Sequence, residues 1–152
     1  MTPSTLSALR RLLFFTQPEA AALIGNVTER SWQFWERGDR PIPQDVADKI
    51  ESLIEWRSNA VQAFHDQLEE AQAAQEGGEQ ESVRLLWYDT VDDWATLNDR
   101  EPILFRPHQS AVAQLCAEYG CIAVRFDAPA YRAWLGDRLD SEMMRGLWAG
   151  GQ

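Results

Sequence analysis

Lysine is nearly absent from this chain: Lys49 is the only one, and every other side chain among its 14 basic residues is arginine. Arginine is the cation suited to planar, bidentate contacts with phosphate and guanine. Cysteine and histidine are nearly as scarce, two of each. Cys116 and Cys121 are too few for a disulfide framework and have no zinc-spaced partners, so they read as reduced thiols, and no metal site is expected. His65 and His108 fall on helical stretches with no nucleophile or metal ligand nearby in sequence, and both are expected to be surface or capping residues. No Gly-rich phosphate loop exists; Gly77-Gly78 and Gly150-Gly151 read as linker and tail. These absences remove the usual signs of an enzyme and nominate no catalytic residue and no cofactor. No run of about 18 uncharged apolar residues occurs and no signal-peptide pattern opens the chain, so a cytoplasmic protein without membrane contact is expected.

What is present is acid, distributed unevenly. The net charge is -10. Residues 1–44 hold five arginines against four acids, a balance of +1, which leaves -11 for the rest. A less acidic head on an acidic body is compatible with a nucleic-acid partner, since local charge counts for more than the sum.

Hydrophobic spacing predicts mostly helix. Leu6, Leu9 and Leu13 mark a first helix over about 4–14. Thr16-Gln17-Pro18-Glu19 is a capping-box pattern that opens a short second helix, ended near Gly25-Asn26. Thr28 caps a third helix of about ten residues that Gly38 ends. Pro41 and Pro43 impose an extended link, after which Val46, Ile50, Leu53, Ile54, Val61, Phe64 and Leu68 trace a long fourth helix to about residue 74. The acidic, Gly-containing stretch that follows reads as a linker, 76–82, separating a helical domain, 1–75, from a second module, 83–152. In that module SVRLLWYD and CIAVRFD read as strands and the segments around them as helices, giving an α+β fold that is mostly α. Two strands make a poor sheet, so pairing with a second copy of the chain is an attractive completion.

Short helices two and three, joined by a Gly-containing turn, describe a helix-turn-helix. Ala21, Ile24, Val27, Trp32 and Trp35 take the inward positions, with the two tryptophans three apart on one side of helix three. Its other side carries Thr28, Glu29, Arg30, Gln33 and Phe34, expected to meet base edges in a major groove. Arginine reads guanine, glutamine reads adenine, and Glu29 accepts from cytosine N4 or orients Arg30. Phe34 touches a thymine methyl or packs partly into the core. Gln17, Arg37, Arg40 and Arg10 are expected at phosphates, with Arg11 beside them.

QPEAAALIGNVTERSWQFWERGDRPIP resembles the phage-repressor type of helix-turn-helix, with Asn26 as one extra residue in the turn. SWQFWERGDRPIP, together with the later RPHQSAVAQL, is similar to the anti-CRISPR-associated repressors of the second type and the related YdiL-like proteins. The resemblance implies a homodimer that binds inverted repeats in duplex DNA and represses its own operon, in phage an operon that also encodes an anti-CRISPR protein. It places base contacts at Arg30 and Gln33. Two other readings stay open: an antitoxin or adaptor whose acidic C-terminal module binds a partner protein, and an RNA-binding regulator that recognises the hairpin transcribed from an inverted repeat.

Overall fold

The computed structural model describes residues 1–74, 82–98 and 100–152. Four helices come first: α1 (Pro3–Leu12), α2 (Gln17–Ala20), α3 (Glu29–Arg37) and α4 (Gln44–Ala74). The second half is β1 (Arg84–Trp87), α5 (Val91–Trp94), a 3-10 turn (Pro102–Leu104), α6 (Phe105–Tyr119), β2 (Ile122–Arg125), α7 (Ala128–Leu135) and α8 (Glu142–Gly150). The fold is α+β and mostly α. The linker expected at 76–82 lies, apart from Ser82, outside the described residues. None of the described helices is long and apolar enough to cross a membrane.

Local chemistry sets the boundaries in the first half. Thr16 and Glu19 form the reciprocal capping box at the head of α2. Thr28 caps α3 by accepting from Ser31 N–H, and Gly38, at φ 82°, ends it in the left-handed region. The second helix differs from expectation: after Ala20 it widens into a π-helical turn over Ala21–Gly25, and Asn26 follows at φ 48°. The chain then leaves the π turn through left-handed Asn26 and enters α3 at its Thr28 cap. Gly25 sits where the turn meets α3; a Cβ there would lie 3.0 Å from the Trp35 ring and 3.1 Å from Val27.

One core lies under this arrangement. Leu6, Leu13, Phe15, Ala21, Ile24, Trp32, Trp35, Val46, Ile50 and Leu53 are all buried in it. The two indoles meet edge to face at 5.6 Å, a favoured aromatic geometry.

The two strands pair with each other, in parallel, with Leu86 opposite Val124. The β1–β2 crossover passes through α5 and α6. A small sheet is stable here because an aromatic core supports it: Tyr88, Trp94, Phe105, Phe126, Tyr131 and Trp148, with Leu86 and Val124 packed against them. Arg145 is buried in that core, where its guanidinium donates to Asp140, Thr96 and the Tyr88 hydroxyl.

The halves are braced. The buried Arg57 of α4 donates to Ser110 Oγ of α6 at 2.7 Å, and Ser110 in turn donates to the Leu12 carbonyl at the end of α1. Arg106 of α6 reaches Glu19 at 2.6 Å.

Candidate nucleic-acid interface

Trp32 and Trp35 turn one side of α3 into the core, and the other side is therefore turned out. Thr28, Glu29, Arg30, Arg37 and Arg40 are exposed, while Gln17, Gln33 and Phe34 are half-buried at the foot of the same surface. Arg30, Arg37 and Arg40 gather around one ring, their guanidinium carbons 5.7, 5.1 and 4.6 Å from the centre of Phe34. Phe34 thus holds three flexible cations near one place through cation–π attraction. Arg37 is also paired with Asp39 at 2.8 Å. Among the described residues Arg30 and Arg40 form no ion pair.

Beneath this surface runs a chain of hydrogen bonds that begins in the core. Arg10, only 7% exposed, donates to Glu36 at 2.6 and 3.3 Å and to the Phe15 carbonyl at 2.7 Å. The structure corrects the expectation for Arg10: its donors are spent inside the protein, so it is a core residue and not a phosphate contact. Arg11, its neighbour, is exposed.

Glu36 also accepts from the Trp32 indole N–H and from Gln17 Nε2, both at 2.7 Å. Burial acts to raise the Glu36 pKa, but the bonds from Arg10, Trp32 and Gln17 outweigh it and hold the carboxyl below its ordinary value. An ionised carboxylate only accepts, so Gln17 must turn its amide NH2 towards Glu36 and its oxygen the other way. Gln33 Nε2 then donates to that Gln17 oxygen at 3.4 Å and to Glu29 at 3.2 Å. With its NH2 committed, Gln33 offers its amide oxygen, which has no partner among the described residues. Such an oxygen accepts from the amino group of adenine or cytosine in a major groove.

These six helices and the first strand fall inside a recognisable sequence pattern: the family model of Aca2/YdiL-like proteins matches residues 1–123. The chain belongs to the Aca2/YdiL-like family. One curated relative, the Aca2 repressor of Pectobacterium phage ZF40, is 34% identical over 114 residues, covering 74% of this chain and 90% of that protein. The family match therefore includes the whole α3 surface and the chain beneath it. It ends inside β2, so α7 and α8 of this Aca2/YdiL-like protein lie beyond it.

Two features escaped sequence reasoning. Glu36 stands four residues after Trp32, on the buried side of α3, and an acid in that position requires a cation; that spacing was the available signal for Arg10. His108, expected at the surface, packs its ring 4.4 Å from Trp94 and 5.8 Å from Tyr88. Burial, assisted by the charge of Arg100, pushes its pKa down to about 3. No local pattern marked it, because the aromatic residues that enclose it come from distant parts of the chain.

Proposed function

We propose that this protein is a sequence-specific, duplex-DNA-binding repressor that acts as a homodimer on an inverted repeat in the promoter of its own operon, one that in phage includes an anti-CRISPR gene. The division of labour follows the two halves: residues 1–75 read DNA, and residues 83–152 join the subunits. The observation that carries this reading is the outward face of α3, where Arg30, Arg40 and the Gln33 oxygen are presented together, opposite the buried tryptophans. Membership of a family that includes a phage repressor supports it.

In this reading α3 lies in the major groove with Arg30 and Gln33 at base edges, Thr28 and Glu29 at its leading end and Phe34 against a thymine methyl. Arg37 and Arg40 flank it at phosphates and set the register, while the Gln17 side chain, expected there from the sequence, is committed to Glu36 and Gln33 beneath the surface. Two such helices, about 34 Å apart in the dimer, address two half-sites and occlude the polymerase. The acidic second half limits adhesion to unrelated DNA, because phosphate attraction is the main source of non-specific affinity.

Selection of bound duplexes from a random pool tests this directly and is expected to return a palindrome. On the recovered duplex, Arg30→Ala is expected to weaken binding by roughly 10- to 100-fold, the value of one bidentate base contact, with circular dichroism unchanged. Undiminished affinity in a gel-shift titration would refute the assignment of Arg30.

A further inference from the structure

The outward face of α3 sorts its polar atoms into two rows. Arg30, Phe34 and Arg37 stand at i, i+4 and i+7, and the side chains of that row offer donors alone. Glu29 and Gln33, at i and i+4, form the row beside it, and Gln33 Nε2 donates to Glu29 Oε1 at 3.2 Å. A carboxylate only accepts, so this bond fixes which end of the Gln33 amide faces Glu29. The Gln17 oxygen, receiving from the same nitrogen at 3.4 Å, fixes it again from below. An amide NH2 has two hydrogens, and these two partners take both.

What the second row keeps for a ligand is therefore acceptors alone: the Gln33 oxygen and the second oxygen of the exposed Glu29. The Gln33 oxygen is open to solvent, since His108 Nδ1 is the one buried side-chain polar atom without a partner among the described residues.

We infer that this row recognises the exocyclic amino group of a base and nothing else on it, so that a methyl group on that nitrogen switches recognition off. The inference deepens the operator reading above and rests on it. A glutamine free to turn grips adenine at two points, accepting from N6 and donating to N7. Here the donating half of the amide is spent, and one point is left. In the major groove each base pair has one suitable donor, adenine N6 or cytosine N4, while guanine and thymine present acceptors, which this row repels.

The amino nitrogen carries two hydrogens, one held by the paired base and one directed into the groove. A methyl that leaves the pair intact must replace the second, the only one the row can reach. The modified base then offers no donor, and the two acceptors have given up water without gaining a bond. Methylation at adenine N6 or cytosine N4 is thus read as a change of base. Methylation at cytosine C5 is not, because the amino group is kept.

The position read by Gln33 is found first, as the base pair in the selected duplex that Gln33→Ala no longer distinguishes. Gel-shift titration of the full chain then compares duplexes altered at that pair alone. Where the amino group belongs to adenine, N6-methyladenine is expected to lower affinity about tenfold or more. There 7-deazaadenine, which lacks N7 and keeps the amino group, is expected to bind as adenine does. Where it belongs to cytosine, N4-methylcytosine is expected to show the loss and 5-methylcytosine to show none. A methylated amino group bound as tightly as the plain one overturns the inference, as does a Gln33→Ala protein that selects an unchanged duplex. A loss with 7-deazaadenine also overturns it, because Gln33 would then be turning its NH2 to the groove. Any of these results on a recovered palindrome leaves the operator reading standing; recovery of no duplex at all sinks both.

Discussion

At the scale of residues, the outward surface of α3 is organised from below. Arg10 fixes Glu36, Glu36 fixes the amide of Gln17, and Gln17 fixes the amide of Gln33. Each step follows from which atoms donate and which accept. Gln17→Ala removes the link nearest the surface and leaves the Arg10–Glu36 pair intact. Gln33 is then free to turn either amide atom outward, and its preference for a base with an exposed amino group is expected to fall by roughly tenfold, about 1.4 kcal/mol. Competition between duplexes that differ only at that base measures it. An unchanged preference would show that Gln33 is oriented by Glu29 alone. Composition and spacing made the outward residues of α3 legible, because Trp32 and Trp35 define the side opposite. They did not reveal that Arg10 was spoken for: an acid at Glu36 calls for a cation, but nothing local says that it comes from 26 positions away.

At the scale of elements, caps were the most readable feature. Thr16, Thr28 and Gly38 act where their chemistry says they should, because a cap needs only its own few residues. The π turn was not readable, because its width answers to the packing of Trp35 and Val27 against Gly25 and not to any pattern within Ala21–Gly25. Gly25→Ala is therefore expected to destabilise the protein by about 1–3 kcal/mol, the usual cost of overpacking a tight contact. That loss would appear as a lower urea midpoint. A neutral or stabilising result would mean that α2 and α3 separate more easily than the 3.0 Å approach to the Trp35 ring implies.

At the scale of the whole molecule, the second half was legible as strands and helices but not as a core. Two short runs of branched and aromatic residues announced β1 and β2, yet nothing in them foretold that Tyr88, Trp94, Phe126 and Trp148 would converge, with His108 enclosed at the edge. That enclosure has a consequence for acid stability. The ordinary histidine value is 6.5, and in the fold His108 is held near 3, by burial first and Arg100 second. Between these limits the unfolded chain takes up a proton that the folded chain refuses. Stability from this group is thus complete above about pH 6.5 and declines as pH falls, by up to about 1.4 kcal/mol per unit. Glu36 and Glu19, whose pKa values are lowered from 4.5, add to the loss only at still lower pH. Urea titrations from pH 6.5 to 4.5 are expected to show the slope, and His108→Leu to flatten it; a slope kept by the variant would exclude His108 as its source. Glu19 joins these scales, for the same carboxylate closes the cap of α2 and receives Arg106 from α6. With Arg57 bonded to Ser110 on the same helix, the first half of the chain is tied to the second at two places. Were two copies to pair as proposed, heads so braced would act as a caliper of set gap, expected to tell operators apart by the length of their spacer as well as by the letters in their arms.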